Sequence, residues 1–265
     1  MASTFSFGSY FPETSPLHRL DARTKLLGGV AFIVLLLVGS NPAQLGVIAL
    51  FTAALYAIGR IPPVKALKSL APLMAIVVIV ALLNLFVQQG GAVLVQLGPL
   101  RISEGGVTAC AFMTCRLTLM MLGMSLITLT TMTLDLTEAM EKLLAPFARI
   151  GLPAHELGMI FGIALRFMPQ FAFELGSIYH AQVSRGAALE ASPVKGVRMV
   201  SSIIVPLFTS AFRHAETLSA AMDARCYHGG AGRTRLHPLH FAARDAVAAG
   251  VMAALAAAVL VAGIV

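Results

Sequence analysis

Charge is what this 265-residue chain has little of. Asp, Glu, Lys and Arg make up 12% of it, against roughly 25% in soluble domains. Hydrophobic residues fill 58%, and that balance excludes an ordinary water-soluble globule, because lipid must solvate much of the chain. Alternating apolar and polar segments are also missing, which excludes a transmembrane barrel. Cysteine is scarce and odd in number: Cys110, Cys115 and Cys226 imply no disulfide framework, since the first two lie inside one apolar run. No G-x-x-x-x-G-K-[ST] string occurs, so the chain has no P-loop with which to bind ATP itself. No Ser, His and Asp set or nucleophile elbow marks a hydrolase.

Long apolar runs take their place: Leu26–Val38, Leu45–Ile58, Ala71–Val87, Val107–Met132 and Ala246–Val265. A bilayer core needs about 20 apolar residues per helix, so the last three span comfortably and the first two are short. Those two are expected to form a tight hairpin through Gly39-Ser40-Asn41-Pro42, because Pro42 lacks a donor and restricts Asn41 to extended backbone. Arg19, Arg23 and Lys25 ahead of a short apolar stretch also fit a cleaved signal peptide, but the second run follows too closely for the first to be disposable.

The formal charge of +7 is placed by topology rather than for nucleic acid. Arg19, Arg23 and Lys25 precede the first run, and Arg60, Lys65 and Lys68 separate the second from the third. The turn between the first two has no Lys or Arg, and residues 88–104 read as a loop with only Arg101. The positive-inside rule therefore puts the amino terminus and the Arg60 loop in the cytoplasm. Five spans then leave the carboxyl terminus outside a multi-pass protein of the cell membrane.

The pattern divides the chain into residues 1–133, with an amino-terminal segment and four spans, a cytoplasmic block at 134–236, and a last span at 237–265. In the block, Asp135 with Glu138 has the form of a capping box, opening a short helix that Gly151 and Pro153 end. Pro153 and Ser192-Pro193 then open two long helices. Arg166, Gln170, Glu174, Ser177, Ala181 and Ser184 make a narrow, largely polar stripe on the first. Arg198, Ser202, Pro206, Thr209, Arg213, Glu216, Ala220 and Asp223 do so on the second. Pro169 and Pro206 predict a kink in each.

Both helices end alike, in Ala181-Gln-Val-Ser-Arg-Gly186 and Ala221-Met-Asp-Ala-Arg-Cys226. Small residues beside an arginine let a helix end approach another protein closely while the guanidinium offers several donors. The plainer reading is a cation at the negative end of each helix dipole, which the repetition in matched context makes less sufficient.

At these residues the chain resembles the T component of energy-coupling factor (ECF) transporters, the family that includes the cobalt-transport membrane subunit. The resemblance covers nearly the whole chain. It runs from Ser15-Pro-Leu-His-Arg-Leu-Asp-Ala-Arg-Thr-Lys-Leu27 through Thr130-Thr131, Leu152-Pro-Ala-His-Glu-Leu157 and Leu165-Arg-Phe-Met-Pro169, with the arginine motifs as its most specific elements. It implies an all-α integral membrane protein of about five transmembrane helices and three cytoplasmic-side coupling helices. It implies a complex with two ATP-binding subunits, which would hold ATP and Mg2+, and with a substrate-binding S component that delivers a vitamin or a metal. This chain itself is expected to be non-catalytic and to bind no cofactor.

In that family each motif is typically Ala-Arg-Gly and docks into a groove of one ATPase. Here Ser184, Arg185 and Gly186 form the first and Ala224, Arg225 and Cys226 the second, so Ser184 and Cys226 depart from the pattern while remaining small. Phe167, Phe171, Ile203 and Phe208 are expected to pack on the membrane domain or contact the S component.

Other candidates carry less. Cys226, His228, His237 and His240 are metal-ligand types, but Gly229, Gly230 and Gly232 loosen their spacing and no closed zinc signature results. His155-Glu156 opens a HExxH-like string whose second ligand position is Met159. Arg116, inside the fourth run, is expected to face protein and to find Asn84 or a backbone carbonyl. Met113, Met120, Met121 and Met124 could form an adaptable contact surface or ordinary packing. An intramembrane enzyme using the cytoplasmic histidines and a self-sufficient secondary transporter are the alternatives. The second is opposed by spans almost without ionisable residues.

Overall fold

The computed structural model describes residues 15–97, 100–151, 153–186, 193–229 and 240–264. Among them are α1 (Ala22–Val38), α2 (Pro42–Gly59), α3 (Pro63–Val87), β1 (Val93–Leu97), β2 (Leu100–Ser103), α4 (Glu104–Thr130), α5 (Thr133–Leu144), α6 (Ala154–Ser184), α7 (Pro193–Ala224) and α8 (Ala243–Ile264), with a 3-10 turn at Ala145–Ile150. They fall into two units. Residues 8–139 and 238–265 form the larger, and 1–7 with 140–237 the smaller.

In the larger unit α2, α4 and α8 are each long and apolar enough to cross a membrane. The 17 residues of α1 rise about 25 Å, short of a core of about 30 Å. The protein is an all-α membrane protein. Its buried core takes Phe32 and Leu36 from α1, Leu45 and Ile48 from α2, Leu119 from α4, and Leu255 and Val259 from α8. Outward positions are apolar as well, Leu50 being 75% exposed, as lipid rather than water requires.

The hairpin between α1 and α2 forms as the proline predicts. Asn41 is extended, with φ −104° and ψ 147°, and Pro42 is the first helical residue. Gln44 completes it: its Oε1 accepts from the Ser40 and Asn41 N–H groups at 2.7 and 3.0 Å. Its Nε2 donates to the Val259 carbonyl of α8 at 2.9 Å.

Arg116 also serves this turn. Its guanidinium donates to the carbonyl of Gly39, the residue that caps α1, and lies 4.7 Å from the Phe112 ring centroid. The middle of α4 is therefore level with the end of α1, and the guanidinium meets a backbone carbonyl and a ring of the protein, which lowers the cost of its charge. Asn84 bonds the Val80 carbonyl of its own helix.

Two local expectations change. Residues 88–104 are a loop only in part, because β1 and β2 pair antiparallel with Leu97 opposite Leu100. The hairpin returns the chain so closely that a Cβ at Gly106 would lie 2.5 Å from the Leu85 carbonyl oxygen, a gap only glycine fits. The helix expected to begin at Asp135 begins at Thr133. The Leu136 N–H already bonds the Met132 carbonyl at 3.0 Å, so Asp135 lies in the first turn instead of capping it.

A buried charged joint fastens the beginnings of α1 and α8. Asp21 caps α1, its Oδ1 accepting from the Arg23 N–H at 2.8 Å. Its own N–H donates to Asp245 Oδ1 at 2.9 Å, and Asp245 Oδ2 accepts from the Ala242 N–H at 2.8 Å. Asp245 thus reaches back over the first turn of its own helix, half of a capping box, while holding the cap of another. Arg23 pairs with Asp21 at 2.8 Å and lies 3.8 Å from the centre of the Phe241 ring. Lys25 Nζ donates to the Thr130 carbonyl at 2.8 Å, bringing the end of α4 to the same joint.

Candidate functional site

The smaller unit is built on α6 and α7, of 31 and 32 residues. Both run unbroken through their prolines, Pro169 and Pro206. Contacts recur in one antiparallel register along them. Tyr227 Oη donates to Met159 Sδ at 2.9 Å, the Phe167 and Phe171 rings lie 5.8 and 5.9 Å from the His214 ring, Ser210 Oγ donates to Glu174 Oε2 at 2.8 Å, and Gln182 Nε2 donates to the Ser202 carbonyl at 3.3 Å. An antiparallel register puts the carboxyl ends of the two helices at opposite ends of the pair. With Tyr227 beside Met159, the 26 residues from there to Arg185 separate the tips by about 39 Å.

The tips have the same construction. The Arg185 N–H bonds the Ala181 carbonyl at 3.2 Å, and Gly186, with φ +84°, bonds the Val183 carbonyl at 2.9 Å. The Arg225 N–H bonds the Met222 carbonyl at 3.1 Å, and Cys226, with φ +52°, bonds the Asp223 carbonyl at 2.9 Å. Each arginine therefore sits one residue before a left-handed closing residue that terminates the helix. Ser184, Arg185, Gly186, Ala224, Arg225 and Cys226 are all exposed. Among the described residues neither guanidinium has a partner.

A left-handed cysteine costs roughly 1–2 kcal/mol that glycine does not. Cys226→Gly is therefore expected to slow amide hydrogen exchange at residues 222–227 by about tenfold, and unchanged exchange would show that the tip is not strained.

The four apolar residues named from the sequence are placed differently from one another. Phe167 and Phe171 stack with each other, Phe167 stacks on His214, and Phe171 meets that ring at a tilt of 54°. Ile203 is buried, at 8% exposure, and Phe208 is exposed, at 60%. Phe212 is exposed beside it, ring centroids 6.4 Å apart.

Ser210 and His214 escaped sequence reading, although they stand one turn apart and meet the stripe residue Glu174. His214 Nε2 lies 2.7 Å from Glu174 Oε1. This contact, followed by that of Ser210, holds the Glu174 carboxyl below its usual range. Ser210 also approaches His214 at Nε2, 3.4 Å away. A catalytic relay needs the base and the orienting carboxylate on different ring nitrogens, so the cluster joins two helices and does not activate the serine.

His155 Nδ1 lies 3.1 Å from Glu141 Oε1. Among the described residues no three His, Cys, Asp or Glu side chains gather where a metal ion could sit. His237 lies outside them, as do Leu152 and the expected cap Ser192.

The family described as Cobalt transport protein, CbiQ, matches residues 13–237. The Energy-coupling factor transporter transmembrane protein EcfT of Brevibacillus brevis is 40% identical over 250 residues, 94% of each chain. That of Thermosediminibacter oceani is 41% identical over 244 residues, 92% of each chain. A putative ABC transporter ATP-binding protein of Bifidobacterium longum is 38% identical over 251 residues, which are 94% of this chain and 32% of that protein.

Proposed function

Because the chain belongs to the cobalt transport protein family, we propose that it is the membrane-embedded coupling subunit of an ATP-driven uptake transporter, with α6 and α7 carrying movement from two ATP-binding subunits to a substrate-binding S component. The observation that carries this is the pair of exposed arginines, without partners among the described residues, at opposite ends of one antiparallel helix pair. A guanidinium in a fixed plane suits a groove lined by carboxylates or carbonyls. Tips about 39 Å apart suit two separate partners.

ATP and Mg2+ belong to those partners, since this chain has no P-loop. The Bifidobacterium longum protein supports the association, because a segment similar to this chain makes up about a third of a protein named for ATP binding. Catalysis by this chain is not part of the proposal. Residues 134–236 form the coupling block, the amino terminus and this block are cytoplasmic, and five spans leave the carboxyl terminus outside the cell membrane.

Affinity purification from native membranes tests the assembly, and is expected to recover ATP-binding subunits and a small membrane protein in fixed ratio. Recovery of this chain alone from gentle extraction would refute it.

Topology has its own test. Gln44 is buried and triply bonded, so Ser40, exposed in the same turn, is the position to label. With Cys110 and Cys115 replaced by alanine, Ser40→Cys should react with an impermeant maleimide from outside while the native Cys226 reacts only after permeabilisation. The reverse pattern would invert the orientation.

Phe208 and Phe212 are the apolar surface proposed to meet the S component. Phe208→Asp is expected to reduce S-component capture by about tenfold or more, through loss of apolar contact and burial of a charge, without loss of folding. Undiminished capture would move the contact elsewhere.

A further inference from the structure

The larger unit carries a half-open cavity of about 900 Å³ that docking at the helix tips does not use. Its walls are apolar, with Gly28 from α1, Phe51 and Leu55 from α2, Ile127 from α4 and Val251 from α8. Its mouth is charged, with Lys25, Arg244 and Asp245. The volume falls within the range of about 300–1,000 Å³ common for small-molecule sites.

Depth decides what kind of occupant fits. Along the helices the cavity reaches from Thr24 to Phe32, from Ile58 to Phe51, from Thr130 to Gly123 and from Arg244 to Met252. Each of these is seven or eight residues of helix, about 10–12 Å. That is less than one leaflet of a hydrocarbon core of about 30 Å. A partner's transmembrane helix would run the full thickness and is about 10–12 Å wide, so it does not match a cleft closed halfway. A slender apolar chain entering from one leaflet does.

The mouth selects the head group. Lys25 is committed to the Thr130 and His18 carbonyls, and Asp245 to the Asp21 and Ala242 N–H groups. Arg244 is exposed and has no partner among the described residues.

We propose that the cavity holds an acyl chain of an anionic phospholipid from the leaflet at the amino-terminal end of α1, with the phosphate on Arg244. The lipid fills the space between α1, α2, α4 and α8 and covers the charged joint from the membrane side. This assignment is independent of Arg185 and Arg225.

The chain contains no tryptophan, so a single introduced one reports without background. Phe51→Trp places it in the cavity wall, and Leu50→Trp, at a position 75% exposed, reports bulk lipid. The full chain is reconstituted in vesicles containing bromine-labelled phosphatidylglycerol or bromine-labelled phosphatidylcholine, and quenching is compared.

Phe51→Trp is expected to prefer phosphatidylglycerol about fivefold, as one cation near a phosphate provides, whereas Leu50→Trp shows no preference. Arg244→Gln should abolish the preference. Gly28→Leu, where a side chain meets open space, should abolish quenching by both lipids at Phe51→Trp. Leu55→Trp repeats the measurement if Phe51→Trp does not fold.

Equal quenching by the two lipids at the cavity position overturns head-group selection at Arg244. Absence of quenching there overturns lipid occupancy altogether, in favour of a partner protein. Either failure leaves the docking assignment standing.

Discussion

A chain lacking both tip arginines is expected to reach the membrane in normal amount and to support no ATP-driven uptake. Each guanidinium is exposed and without a partner among the described residues, so Arg185→Ala and Arg225→Ala remove no side-chain contact found there. At an interface, truncating one member of a charge-assisted pair costs about 2–5 kcal/mol. Two tips on one rigid pair bind as a bivalent clamp, and linkage of that kind can raise overall affinity by about 10²–10⁴ over either contact alone.

Each single variant should therefore keep part of its ATPase association, and the double variant should lose at least about 100-fold. Lysine at either position should rescue poorly, because a point charge cannot reproduce a planar fork of donors. Substrate binding by the S component should be unchanged. Normal uptake by the double variant at normal abundance would remove the reason for assigning these helices a coupling role.

Asp245→Ala is expected to have the largest effect on folding. This side chain is buried, at 6% exposure, and accepts the Asp21 and Ala242 N–H groups at 2.9 and 2.8 Å. Leaving the buried Asp21 N–H, on another helix, unsatisfied costs about 1–3 kcal/mol, and the exposed Ala242 N–H loses a bond to a charged group worth about 1.5–3 kcal/mol. A loss of roughly 2–5 kcal/mol follows. At about 2–4 °C per kcal/mol, the unfolding midpoint of purified protein should fall by roughly 5–15 °C. Asp245→Asn keeps one acceptor and should fall between the two. An unchanged midpoint for Asp245→Ala would mean that α1 and α8 are held by their apolar faces alone.

These two sites differ in how far the sequence discloses them. The arginine tips are legible because their information is local: A-x-x-small-Arg-small occupies six consecutive residues, occurs twice, and closes each helix within one turn. The apolar helices α2, α4 and α8 and the turn before α2 are legible for the same reason, since an apolar run and Asn41-Pro42 are local signals. Asp245 is not. Near the start of an apolar run it reads as an ordinary first-turn acid, and its importance comes from Asp21, 224 residues away.

Glu174 was visible in a polar stripe, but Ser210 and His214 complete its surroundings only when α6 and α7 align antiparallel. Phe167 and Phe171 carried the same ambiguity. Apolar spacing shows that they are buried against something, and the register of the helix pair makes that neighbour His214. Arg116 needed a class of partner, a carbonyl, that the sequence could suggest. Naming Gly39 required knowing how far α4 extends past the end of α1.

The central claim is that this chain transmits ATP-driven movement and neither transports nor catalyses alone, and uptake by reconstituted vesicles tests it most directly. Vesicles containing this chain, or this chain with its S component, are expected to accumulate no substrate above the empty-vesicle level. Addition of the ATP-binding subunits with Mg2+ and ATP should start accumulation, and omission of this chain from the complete mixture should stop it. Sustained uptake by the purified chain without ATP or ATP-binding subunits would contradict the account.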